Sequence, residues 1–167
     1  MNSASLHHVL CVEDNAGDRL LIKRFFDPKG SQFKVHFLED GLEALDFLHK
    51  KGKFVGSPRP EIVILDLNLQ RIDGKEVLSK MKQTDDIKDI PVFILTTSKS
   101  FEDKRSCLEL GAEQFFTKPS DINSFEEILR YIQSWVEEKP QTQKGKPPTK
   151  YRAINLNWKM LGLALNR

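Results

Sequence analysis

The chain has 167 residues, the size of one ordinary domain with little to spare, which excludes a large multidomain enzyme. Hydrophobic residues make up 39% and charged residues 30%, a balance that excludes a disordered or membrane-embedded chain, and no apolar run reaches the ~20 residues a membrane-spanning helix needs. The net charge of +2 hides an asymmetry: all 24 acidic residues lie at or before Glu138, while seven of the 26 basic residues follow it, so an acidic body precedes a basic tail.

Residues 1–6 read as a short arm. They carry no basic segment followed by an apolar one, so no export signal is expected and a cytoplasmic location follows. His7-His8-Val9-Leu10-Cys11-Val12 is an apolar run that stops at Glu13-Asp14, the pattern of a buried strand ending in acids. A helix follows, with Asn15 and Asp18 as start signals, Leu20, Leu21, Phe25 and Phe26 as its apolar residues, and Pro28 and Gly30 beyond its end. Val35 to Leu38 form the second strand, and Gly41 to Leu48 an amphipathic helix. Ser57-Pro58-Arg59-Pro60 is a loop. Ile62-Val63-Ile64-Leu65-Asp66 is apolar at every position before its final acid, so this third strand is covered on both faces.

Asp73-Gly74 breaks the chain before a helix through Val77, Leu78 and Met81. Pro91 to Thr96 is the fourth strand, with Pro91 at its first position, where a missing N–H is tolerated. A helix from about Phe101 to Leu110 ends at Gly111, a C-cap. Gln114 to Thr117 make the fifth strand. The last helix begins after Ser120-Asp121 and is expected to bury Ile122, Phe125, Ile128, Leu129, Ile132 and Trp135. Strands and helices alternating at this spacing predict βαβ units, right-handed crossovers and a parallel sheet with helices on both faces. Residues 7–138 therefore form the domain, and 139–167 a basic linker and short tail. Tyr151, Ile154, Trp158, Leu161 and Leu165 recur at helical spacing, while Ile154, Leu156, Trp158 and Met160 also alternate as in a strand.

In open α/β sheets, ligands bind beyond the carboxyl ends of the strands. Here those ends carry Glu13-Asp14, Asp66, Thr96 and Lys118-Pro119, so three carboxylates, a hydroxyl and an ammonium are expected on one rim. Crowded carboxylates need a compensating cation, and an all-oxygen donor set favours a hard ion such as Mg²⁺. An aspartate so placed is suited to accept a phosphoryl group, with Lys118 and the Thr96 hydroxyl neutralising phosphoryl oxygens. The two cysteines, Cys11 and Cys107, lie far apart with no C-x-x-C spacing, and His7 and His8 have no partner at metal-ligand spacing, so these four read as structural residues.

Glu13-Asp14, the strand ending in Asp66, Asp73-Gly74, Pro91 to Thr96, Gly111-Ala112 and Lys118-Pro119, in this order and spacing, resemble the receiver domain of two-component response regulators, the CheY-like family. The runs Leu65-Asp66-Leu67-Asn68-Leu69 and Leu95-Thr96-Thr97-Ser98 resemble its single-domain members paired with bacterial phytochromes and hybrid histidine kinases. The resemblance implies a flavodoxin-like (βα)5 three-layer sandwich with strand order 2-1-3-4-5. It implies Asp66 as phosphoacceptor, and Glu13, Asp14, Asp66 and the Asn68 backbone carbonyl as Mg²⁺ ligands. Thr96 becomes the switch hydroxyl, Lys118 the phosphoryl-binding ammonium and Phe115 the aromatic that follows activation. Gln70 stands where the family often has proline, which is expected to loosen the loop after Asp66.

The implied function is that of a stand-alone regulator phosphorylated by a histidine kinase or phosphotransfer protein, a signalling protein rather than an enzyme beyond its own phosphorylation and dephosphorylation. Its output would be partner binding or a homodimer through the helix 4, strand 5 and helix 5 face or through the tail. An aspartyl-phosphate phosphatase would want a second carboxylate two residues after the nucleophile, where Asn68 stands. A DNA-binding regulator using the tail is disfavoured, since the tail is too short for a helix-turn-helix with its own core. Neither a membrane partner nor, on this reading, a nucleic acid is expected.

Overall fold

The structure, a computed structural model, describes residues 6–29 and 31–138. The apolar runs form its centre: His7–Val12 (β1), Phe33–Leu38 (β2), Ile62–Leu65 (β3), Val92–Thr96 (β4) and Gln114–Thr117 (β5) make one sheet, parallel throughout, in the order β2-β1-β3-β4-β5. β3 and β4 are buried at every position, as strands covered on both faces must be. Between the strands run Ala16–Phe26 (α1), Gly41–Leu48 (α2), Gly74–Gln83 (α3), Phe101–Glu109 (α4) and, last, Ile122–Glu138 (α5). A short 3-10 turn, Gly52–Phe54, follows α2 and was not expected.

Alternation along the central strands sorts the core into two layers. Val9, Cys11, Ile62, Ile64, Phe93 and Leu95 face α1 and α5, meeting Ile22, Phe26, Phe125, Ile128, Leu129 and Ile132. Leu10, Val12, Val63, Leu65, Val92 and Ile94 face the other way, against Leu45 and Leu48 of α2, Val77, Leu78 and Met81 of α3, and Cys107 of α4. Each such side chain stabilises the fold by about 1.5–3 kcal/mol when fully buried. Both cysteines are buried and free.

Each of the helices α1 to α5 starts on a side-chain cap; in α5 the Asp121 carboxylate accepts from the Ser124 N–H at 2.8 Å. Asn15, Asp40, Asp73 and Ser100 accept hydrogen bonds from first-turn backbone N–H groups, each contact stabilising by about 1 kcal/mol. In α1 the cap is Asn15 alone: Asp18 supplies the bonded N–H and sends its carboxylate elsewhere.

Three expectations need correction. In α1, Leu20 is exposed and Ile22 fills the buried position, because the stripe facing the sheet runs through Ile22 and Phe26. β2 begins at Phe33, whose ring packs on Phe26. In α5, Ile122 is 58% exposed: it is the helix's first residue, and Phe125, one turn on, is the first to reach the core. Trp135 is half-buried, edge-on to Phe93 with centroids 5.5 Å apart. Among the described residues no helix is long and apolar enough to cross a membrane. The expectations for the 1–5 arm and for the tail at 139–167 lie outside the described residues.

Candidate functional site

Strand register builds the site. Val12 of β1 pairs with Leu65 of β3, and Thr96 of β4 with Thr117 of β5, so Glu13, Asp66 and Lys118 leave the sheet at one level. The Glu13 N–H bonds the Leu38 carbonyl and the Asp66 N–H bonds the Val12 carbonyl, extending the ladder one residue into the site. Arg19 of α1 donates to the carbonyl oxygens of Glu13 and Asp14 at 3.0 and 2.8 Å, which pins the end of β1.

Lys118 is the hub. Its Nζ lies 2.7 Å from Glu13 Oε2, 2.8 Å from Asp66 Oδ2 and 2.8 Å from Asp18 Oδ2, with the lysine, Glu13 and Asp66 all nearly excluded from solvent. The remaining oxygens take backbone donors: Glu13 Oε1 accepts from the Asn15 N–H and Asp66 Oδ1 from the Asn68 N–H. Burial opposes the charge on Lys118, yet its bonds to Asp18, Asp66 and Glu13 outweigh that and raise its pKa above the ordinary lysine value. Burial raises the Glu13 carboxyl instead, because one ammonium shared among several acids cannot fully compensate it. Glu13, Asp14 and Asp66 each present an oxygen within 4.8 Å of the others. This oxygen-only, under-neutralised set fits a hard divalent cation.

Thr96 is fully buried, and its Oγ1 accepts from the Ser98 N–H at 3.3 Å. The Asn68 side-chain amide is 3.5 Å from the same oxygen and 3.0 Å from Thr97 Oγ1, so the hydroxyl faces the segment that follows Asp66. Phe115 is buried in the core layer with Leu65, Ile94 and Cys107. Thus Glu13, Asp14, Asp66 and Lys118 come together, Thr96 and the Asn68 side chain adjoin them, and Phe115 lies in the core beneath.

The loop after Asp66 is tied where looseness was expected. Gln70 bridges to Asp40, and Arg71, at φ 64°, hydrogen-bonds the carboxylate of that α2 cap. At Gly74 a Cβ would fall 2.2 Å from the Asp66 carbonyl oxygen, so only glycine lets α3 start against the phosphoacceptor candidate's own backbone. Sequence reasoning missed Asp18 as a partner of Lys118. Its signal was present, since Asp18 stands in the first turn of a helix that begins directly after the Glu13-Asp14 strand end, which keeps its carboxylate near the rim.

Beside Lys118 a groove of about 850 Å³ opens between α1 and α5, lined by Asp18, Leu21, Thr97, Ile122 and Phe125 among others. A smaller cavity, about 300 Å³, sits at the opposite edge of the sheet near Pro60, Pro91 and Trp135, away from these residues.

The response regulator receiver domain family matches residues 9–130. The chain belongs to that family. The response regulator Rcp1 of Synechocystis sp. is 37% identical over 130 residues, covering 77% of this chain and 88% of its own length. The Mn²⁺-bound structure of Rcp1 superposes on this receiver with a TM-score of 0.75 at 36% identity, over 81% of this chain and 97% of that one. The phosphorylated cyanobacterial phytochrome response regulator RcpA gives a TM-score of 0.78 at 29% identity, over 82% and 98% of the two chains. The receiver thus has the flavodoxin-like fold with strand order 2-1-3-4-5 and is similar to single-domain, phytochrome-associated regulators.

Proposed function

We propose that this receiver accepts a phosphoryl group on Asp66 from a histidine kinase or phosphotransfer protein and signals through the change that follows. The observation that carries the reading is the buried Lys118 ammonium held between Glu13 and Asp66 at hydrogen-bond distance, on a rim where acids outnumber cations. An Asp66 oxygen attacks phosphorus, the bond to the donor's imidazole nitrogen or carboxylate oxygen breaks, and an acyl phosphate forms. Lys118 then transfers its hydrogen bond from the Asp66 oxygen to a phosphoryl oxygen, and the Thr96 hydroxyl donates to a second. Glu13, Asp14, Asp66 and the Asn68 backbone carbonyl would hold Mg²⁺, which would supply positive charge beside the phosphoryl group. Water attacking phosphorus later restores Asp66 and releases inorganic phosphate. The Mn²⁺-bound state of Rcp1 and the phosphorylated state of RcpA support both halves of this reading.

The groove beside Lys118 gives a donor protein an apolar floor at Leu21 and Phe125 next to the reacting group. Output runs through α4, β5 and α5, as Thr96 at the end of β4 and Phe115 in β5 respond to the new charge. Phe101, 80% exposed at the start of α4, offers an apolar contact there for a partner or a second copy. The receiver comprises 7–138 with a 1–6 arm and a 139–167 appendage, and works in the cytoplasm.

The test is incubation of the full chain with Mg²⁺ and acetyl phosphate, followed by intact mass. One acid-labile phosphoryl group is expected on the wild type and none on Asp66→Asn; equal labelling of Asp66→Asn overturns the assignment. Light scattering of both forms reads out association.

A further inference from the structure

A polar chain outside the rim joins three elements. Lys75, the second residue of α3, places Nζ 2.7 Å from Asp103 Oδ1 in the first turn of α4. The other carboxylate oxygen, Asp103 Oδ2, accepts from Ser98 Oγ at 2.5 Å. Ser98 lies in the loop between β4 and α4, its N–H is the one that bonds Thr96 Oγ1, and its carbonyl accepts from Thr117 Oγ1 at 3.0 Å. Both ends of the chain rest on the site: α3 starts with Gly74 pressed against the Asp66 carbonyl, and Ser98 ends on the Thr96 hydroxyl.

A threonine hydroxyl has one proton to donate and two lone pairs. With the Ser98 N–H occupying a lone pair, the proton stays free to be donated, and Asn68 within 3.5 Å puts the hydroxyl on the side of the Asp66 loop. A fixed Ser98 therefore fixes the direction in which Thr96 can donate. A positioned donor gains over a mobile one because its orientation needs no ordering during reaction.

We propose that Asp103 is a positioning residue, holding Ser98 from α4 and Lys75 so that the Thr96 hydroxyl is set in advance to donate to a phosphoryl group on Asp66. This rests on the reading of Asp66 and Thr96 above and adds to it a residue that touches neither the phosphoryl group nor the acids. Lys75 holds the Asp103 carboxyl below the usual aspartate range, with Ser98 adding to the effect, so the latch is charged across neutral pH.

The test is the rate of phosphorylation by acetyl phosphate with saturating Mg²⁺ in the full chain, for wild type, Asp103→Asn, Thr96→Ala and the double variant. Asp103→Asn is expected to slow the reaction about fivefold in the wild-type background and to add nothing in the Thr96→Ala background. Ser98→Ala, a milder change at the other end of the link, is expected to act in the same direction and guards against a folding defect in Asp103→Asn. Ser100→Ala removes the α4 cap, which a merely structural role for the α4 start would count equally. The lost Oγ accepts from the Asp103 N–H, while the Asp103 carboxylate stays on Ser98 and Lys75, so this variant is expected to lower the thermal midpoint while slowing the reaction less than Asp103→Asn does. An unchanged or faster rate in Asp103→Asn, or equal slowing with and without the Thr96 hydroxyl, overturns the proposal. No label on wild-type Asp66 overturns the functional reading beneath it, a result distinguishable from labelling that proceeds at a rate indifferent to Asp103.

Discussion

The two edges of the sheet handle charge differently. At the amino edge, His7 meets Glu61 at 2.8 Å, Arg59 meets Asp89 at 2.7 Å, and His8 meets His36 through a nitrogen-to-nitrogen contact of 3.0 Å. At the carboxyl edge, one ammonium serves Glu13, Asp18 and Asp66, with Asp14 beside them. Balanced, partly solvated pairs contribute little to stability, and their burial raises no question. An unbalanced set taken out of water is costly and persists where chemistry uses it.

Breaking the hub tests this contrast most severely. Lys118→Met leaves buried carboxylates with no counter-charge. Without a divalent ion, denaturant unfolding is expected to show a loss of about 3 kcal/mol, partly recovered on adding Mg²⁺. Phosphorylation by acetyl phosphate is expected to fall about 100-fold, read by intact mass. Arg59→Met at the other edge is expected to change stability by less than about 1 kcal/mol and phosphorylation not at all. Equal losses at the two edges would remove the distinction.

The backbone gives a second comparison, of smaller size. Gly74→Ala drives a methyl group to 2.2 Å from the Asp66 carbonyl oxygen and 2.8 Å from Leu67 Cα, atoms that cannot yield cheaply. A loss of about 3 kcal/mol in urea denaturation is expected, together with slower phosphorylation, because α3 must shift away from Asp66. Gly56, in the loop leading to β3, has φ +87° but open space around its Cα. Gly56→Ala meets only backbone strain, so about 1 kcal/mol is expected with phosphorylation unchanged.

Much of this was legible from residue order. Ile62 to Leu65 and Val92 to Thr96 are apolar without interruption, which only a strand covered on both faces explains, and the acids, hydroxyl and lysine follow those runs directly. Helix faces were harder to read: Leu20 and Ile22 are equally apolar, and only docking against the sheet decides that Ile22 is inside. Ile87 and Ile90 are buried core residues in a connecting segment, where periodicity gives no signal. The Lys75, Asp103 and Ser98 chain could not be read in advance, since its members come from three elements and common surface residue types. Asp18 was visible but assigned to helix capping, the commoner use of an early aspartate.

Acidity separates the edges by the sign and position of their titrations. Burial raises the Glu13 carboxyl above its ordinary 4.5. Folded protein therefore binds that proton more readily than unfolded protein, and this group costs stability as pH rises from about 4.5 through the raised value. The same proton must leave before Glu13 can hold a cation, so Mg²⁺ affinity measured by calorimetry is expected to weaken as pH falls toward that value.

The smallest effect belongs to the amino edge. Burial lowers His36 below its ordinary 6.5, with His8 of β1 and Lys34 of its own strand adding to the effect, while its ring packs on Phe47 of α2 at 5.2 Å. Here the unfolded chain binds the proton more readily, so the contribution is present above pH 6.5 and is lost as pH falls through it toward the folded value. Only one proton fits between two nitrogens 3.0 Å apart, and a second charge would part the rings. Stability compared by denaturation between about pH 7.5 and pH 5.5 is expected to drop less in His36→Gln than in the wild type. Because the pair lies outside the acid cluster, the variant is expected to leave Mg²⁺ affinity unchanged at both pH values. A shift in that affinity would mean that the two edges are coupled through β1, which carries His8 at one end and leads into Glu13 at the other.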